Sequence, residues 1–118
     1  MIDLKSYALA QLAHLPACTA PSFSREEKPL PLIVLSDDSI RVAAQADGRD
    51  YLEEYVLAAD VYAADQLALE RLCQDAHSSL SRAGFRLTAC QDLYDEQAYC
   101  YRRHMRYRAL VQGDIIYQ

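Results

Sequence analysis

Apolar positions along the chain switch between two spacings, and the switches mark out the elements. Leu4, Ala8, Leu12 and Leu15 recur at three- and four-residue steps, which predicts an amphipathic helix over residues 3–14, stopped by Pro16. The stretch ACTAPSFSREEK, residues 17–28, mixes proline, serine and charge without a period and reads as a surface loop. Pro29 and Pro31 then impose an extended approach, because each also disfavours helix in the residue before it. LIVL (32–35) predicts a short buried strand and SIRVAAQ (39–45) a second, with Asp37 and Asp38 as the turn between them. Asp47-Gly48 is a further turn signal, leading into a long strand over 51–62.

Strict alternation in that strand sets Tyr51, Glu53, Tyr55, Leu57, Ala59 and Val61 on one face. Leu52, Glu54, Val56, Ala58, Asp60 and Tyr62 take the other. From 65 to 83 the period becomes helical: Leu69, Leu72, Cys73, Ala76, Leu80 and Ala83 form one stripe, Asp65 is the N-cap and Gly84 the terminator. FRLTAC (85–90) predicts a short strand, QDLYDEQ (91–97) an acidic connection, and residues 98–111 the last long strand. The order is helix, three strands, helix, two strands. It predicts a single α+β domain over residues 1–118, with two main helices on one face of a mainly antiparallel or mixed sheet of about five strands.

The closing strand raises the first functional question, since residues 102–108 hold four arginines and a histidine with aromatic residues close by. Basic charge interleaved with aromatics is a nucleic-acid signature. Here alternation separates the two properties. Tyr99, Tyr101, Arg103, Met105, Tyr107, Ala109 and Val111 face one way, and Cys100, Arg102, His104, Arg106, Arg108 and Leu110 the other. A stacking platform needs cations and rings on one surface. The net charge of −5 also opposes phosphate binding, which depends on a basic field. Two readings of the basic face are compatible. Arg102, Arg106 and Arg108 pair across the sheet with Glu53, Glu54 and Asp60, or the same residues form a subunit or partner interface.

Other chemistry is weakly supported. Cys73 and His77 could share an ion at helical spacing, but Cys100 and His104 on a strand stand about 13 Å apart. No structural metal and no cofactor is expected. Asp37 and Asp38 are more simply a turn pair than catalytic carboxylates or a cation site. No GxSxG, HExxH or phosphate-loop pattern occurs, and three glycines are too few for a phosphate-cradling loop, so no catalytic residue is assigned. The four cysteines lack CxxC spacing, the N-terminus lacks a secretory pattern, and no apolar run reaches about twenty residues. A soluble, cytosolic protein with reduced thiols and no membrane partner is expected.

The order of elements, with PLPLIVLSDDSI after a helix, the charged turn ADGRD, YLEEYVLAADVYAAD, SSLSRAGFRL and YRRHMRYRALV, resembles the phage tail terminator (tail completion) family, the lambda minor tail protein U-like proteins. The resemblance covers nearly the whole chain and implies a non-enzymatic structural protein of the virion tail, assembled in the bacterial host cytoplasm. It implies a homo-oligomeric ring, a hexamer, that caps the tail tube and stops its polymerisation. The implied partners are the tail tube protein on one side and a head-completion or connector protein on the other, with DNA passing through the lumen unbound. The short C-terminal stretch QGDIIYQ departs from the family pattern. The alternatives are another neck or head–tail joining protein and a small metal-binding or thiol enzyme domain.

Overall fold

Two long strands set the long axis of the molecule, whose extents are 52 × 24 × 23 Å. The computed structural model describes residues 4–15, 18–20, 30–46, 50–96, 99–112 and 115–117, with 18–20, 37–46, 50–52, 115 and 117 described by backbone alone. The elements are α1 (Leu4–Leu12), β1 (Cys18–Ala20), β2 (Leu32–Ala46), β3 (Asp50–Ala63), α2 (Gln66–Arg82), β4 (Arg86–Asp95), β5 (Cys100–Gln112) and β6 (Ile115–Tyr117). They build one sheet in the order β1-β2-β3-β5-β4, with β6 pairing the end of β5. Only β1 and β2 run parallel; the other pairings are antiparallel.

Both helices lie on one face, where Leu4, Ala8 and Leu12 of α1 and Leu69, Leu72, Cys73, Ala76 and Leu80 of α2 meet Leu57, Ala59, Val61, Met105, Tyr107 and Ala109. The α+β class and the helix limits follow the spacing of apolar residues closely. Asp65 caps α2 as expected, its carboxylate accepting the Ala68 amide at 2.7 Å. The other end closes in a Schellman turn. Phe85 N–H donates to Leu80 O at 3.0 Å and Gly84 N–H to Ser81 O at 3.2 Å. Gly84 sits at φ 104, a conformation that a side chain would disfavour.

Four expectations need correction. Asp37 and Asp38 do not make a turn: β2 is one strand of 15 residues, and its pairing with β3 steps from Asp37↔Leu57 to Ser39↔Val56. Asp38 is the extra residue of a β-bulge, and a second shift falls between Val42 and Ala44. A bulge breaks the alternation by one residue, so a continuous strand reads as two. LIVL is apolar at every position because both faces are covered there: Ile33 and Leu35 join the helix-side core, Leu32 and Val34 a smaller cluster with Tyr62 and Cys100. Secondly, β4 runs on through the acidic stretch to Asp95. As an edge strand exposed along nearly its whole length, it lacks the apolar alternation that marks a half-buried strand. Thirdly, short strands β1 and β6 add to the expected count, one of them inside the stretch read as loop. Lastly, Ala98 apart, the final strand begins at Cys100 and extends to Gln112. The Pro16 stop, the rest of the 21–28 loop, the Asp47-Gly48 turn and Ala98 lie outside the described residues.

Candidate functional site

The face of the sheet away from the helices carries the charged residues that the sequence singled out, Glu53 excepted. β3 and β5 pair in antiparallel register, with Asp60 opposite His104, Tyr62 opposite Arg102 and Ala58 opposite Arg106. The odd–even assignments made for these two strands hold where the side chains are described, except at Tyr99, which lies before β5 at φ 53 and is exposed. Asp60 is the centre of the arrangement. Its Oδ1 accepts from Arg102 Nε at 2.9 Å and lies 2.8 Å from a terminal guanidinium nitrogen. The same oxygen is 2.8 Å from His104 Nδ1. The Arg102 guanidinium also stands 5.8 Å from the Tyr62 ring centroid, within cation–π range. Burial alone would lower the Arg102 pKa, but its bond and charge interaction with Asp60 outweigh that and leave it raised.

A second pair lies further along the same face, with Arg108 Nε 3.5 Å from Glu54. The cross-strand reading of the acids and arginines is therefore realised for Asp60 with Arg102 and for Glu54 with Arg108. Glu53 stands apart, registered with the core residue Val111 on the helix side. Arg106 is exposed on the open face, while Arg102 and Arg108 keep 34% and 42% of their side chains accessible.

Arg103 points the other way and makes a separate constellation. It donates to Asp92 on β4, one of the two bonds at 2.9 Å, and to Glu70 on α2. Hydrogen bonding to Arg103 holds both carboxyls below their ordinary pKa range and keeps the guanidinium firmly charged, Asp92 contributing first and Glu70 second. Sequence reasoning missed this triad. The signal was available: a lone arginine on an otherwise apolar face requires acids from whatever packs over it.

The thiols and imidazoles do not converge. Cys73 lies in the helix-side core and Cys100 in the cluster on the opposite face, so the two Cys/His pairs flank the sheet. Burial pushes the Cys73 thiol up to about 12, so at neutral pH it is protonated and a poor nucleophile. His77 Nδ1 is 2.9 Å from the Tyr107 hydroxyl, whose own pKa burial raises, and His14 Nε2 is 3.4 Å from Ser79 Oγ. Among the described residues no three of His, Cys, Asp and Glu gather in a way that could hold a metal ion. No helix among them is long and apolar enough to cross a membrane.

No protein-family model matches the chain, and no curated protein matches it. Among solved structures, a chain from the virion of a native gene transfer agent (GTA) particle is similar from end to end. The TM-score is 0.60 at 17% sequence identity, over 93% of this chain and 95% of that one. At this identity the likeness is one of fold.

Proposed function

We propose that the protein is a structural component of a virion, and more specifically a phage or prophage tail terminator. It forms a ring, a hexamer, that caps the tail tube, halts its growth and offers the surface to which the head attaches. The observation that supports this reading best is the fold shared over almost the full length with a chain of a gene transfer agent virion. The charged face fits the same role better than it fits chemistry. Its acids and bases neutralise one another across the strands, and the remaining exposed arginine surface suits protein contacts.

A ring needs heterologous contacts, in which one patch meets a different patch on the next copy. Arg102, Arg106 and Arg108 form the basic side of such a contact, with Glu54 and Asp60 setting their positions. Glu53 is the weakest member of the proposed set, because it faces the helices. Six copies would carry about −30 in total, a field that lets DNA pass through the lumen without adhering. The tail tube and a head-completion protein are the partners on either side.

The direct test is electron microscopy of tails assembled without this protein. Overlong tails lacking heads are expected; tails of normal length would overturn the terminator reading, and normal tails that fail only to join heads would favour a neck component. For the interface, Arg106→Glu combined with Arg108→Glu should leave the chain folded by circular dichroism yet abolish rings in native mass spectrometry. Normal rings from that variant would show these arginines to be a solvated face.

A further inference from the structure

Strand β4 ends the sheet, and among the described residues nothing pairs with its outer edge. Ten residues long, it is exposed at every position but the last, on both faces. It displays Leu87, Leu93 and Tyr94, three of the five large apolar side chains most exposed among the described residues. Edge strands are commonly guarded by lysine, proline or marked distortion. β4 contains neither lysine nor proline, and its single irregularity is the register shift between Leu87 and Ala89, where Thr88 is the extra residue.

That bulge has a geometric effect on self-pairing. The inner register places Arg86, Ala89, Gln91, Leu93 and Asp95 on the open face of the sheet, since they stand opposite Arg108, Arg106, His104, Arg102 and Cys100. Leu87, Cys90, Asp92 and Tyr94 stand opposite Tyr107, Met105, Arg103 and Tyr101, on the helix side. A second copy, turned about a two-fold axis through Gln91, then meets the strand with every pair on a matching face. Ala89 stands opposite Leu93 of the second copy, Leu87 opposite Tyr94, and Arg86 opposite Asp95. The pairing passes over Thr88 in each copy, as the inner register does, which keeps the faces matched beyond Ala89.

We infer that β4 is a self-complementary docking edge whose occupant is β4 of a second copy of this chain. The pairing satisfies the outer row of backbone groups and sets the apolar residues of the two strands against each other. It also supplies one opposite-charge pair at each end. Charge complementarity selects the antiparallel arrangement, because a parallel one would set Arg86 beside Arg86 and Asp95 beside Asp95. Arg86 already faces Arg108 across the inner register, so an acid from a neighbour relieves a like-charge contact within the chain. An isologous contact closes at two copies and is distinct from the heterologous contact of a ring, so the inference stands independently of the terminator reading.

The test uses the full chain. In a Cys90→Ser background, Gln91→Cys places a thiol on the two-fold axis, where opposed Cα atoms about 4.5–5.5 Å apart fit a disulfide. Mild oxidation is expected to convert most of the protein to a covalent dimer. Leu93→Cys in the same background should not link to itself, since its two copies would be roughly 13 Å apart along the strands. Sedimentation of the reduced proteins supplies the second arm. Arg86→Asp should weaken the dimer about tenfold by creating two like-charge pairs, and adding Asp95→Arg should restore it. A wild-type monomer at several times the concentration used for cross-linking, or equal linking at positions 91 and 93, would overturn the proposal. So would a charge swap that fails to rescue.

Discussion

Arg102 and Arg103 are neighbours in sequence and opposites in surroundings. On the open face the enclosed partner is the acid: Asp60 keeps 13% of its side chain accessible, while Arg102 and His104 reach it with 34% and 28% accessible. On the helix side the enclosed partner is the base: Arg103 keeps 15%, while Glu70 and Asp92 keep 43% and 50%. Each cluster therefore has one member that water can hardly reach and others that solvent can serve. The cost of a substitution depends on which member is removed, since losing the satellite leaves an enclosed charge while losing the centre releases exposed groups to water. The two clusters also tie different parts together. Asp60 links two central strands, whereas Arg103 fastens α2 and the edge strand β4 onto the sheet.

The largest effect that sharpens this contrast lies on Arg103's side of the sheet, in the packing that both helices share. Tyr107 is fully buried and its hydroxyl meets His77 at 2.9 Å. Tyr107→Ala should cost about 3–5 kcal/mol in urea denaturation, through lost burial and the cavity left behind. Tyr107→Phe keeps the ring and should cost only about 1 kcal/mol for the hydrogen bond. Equal losses from the two variants would show that the hydroxyl, and not the packing, holds this side of β5.

Next in size is the centre of the open-face cluster. Asp60→Ala removes the acceptor shared by Arg102 and His104 and should cost about 1–2 kcal/mol, less than a fully enclosed pair because both bases keep solvent access. Asp60→Asn retains a carbonyl acceptor and should cost less. If instead Arg102→Ala proves much cheaper than Asp60→Ala, the enclosed acid does not depend on its satellite and the contrast between the two faces fails.

Much of this was legible in the chain, and for definite reasons. The alternation of residues 53–62 and 100–111 separated the two faces correctly because both strands lie inside the sheet with one side packed on helices. The cap at Asp65 and the stop at Gly84 were readable because each is a local backbone requirement. What escaped depends on pairing between distant segments. A bulge at Asp38 is invisible until Leu57 and Val56 are known to oppose its neighbours. The extension of β4 through Gln91–Asp95 rests on hydrogen bonding to β5 and has no apolar pattern of its own. Likewise Arg103 announced a need for acids, but Glu70 and Asp92, from a helix and an edge strand, could be named only from the packing.

The smallest expected effect comes from Arg103 and distinguishes the two clusters by pH. Arg103→Met keeps an aliphatic stem over the core while releasing Glu70 and Asp92 to water, so its cost at neutral pH should fall below that of Asp60→Ala. In the wild type both carboxyls are held below their ordinary values of 4.5 and 3.8, chiefly by their hydrogen bonds to Arg103. A depressed carboxyl contributes stability that is fully present above its unfolded pKa and is lost as pH falls through its folded one. The difference between wild type and Arg103→Met should accordingly be constant from about pH 7 to pH 5 and shrink towards pH 2.5. Urea midpoints of both proteins across that range provide the measurement. A difference that stays constant down to pH 2.5 would show that Arg103 acts through the packing of its stem and not through its bonds to Glu70 and Asp92.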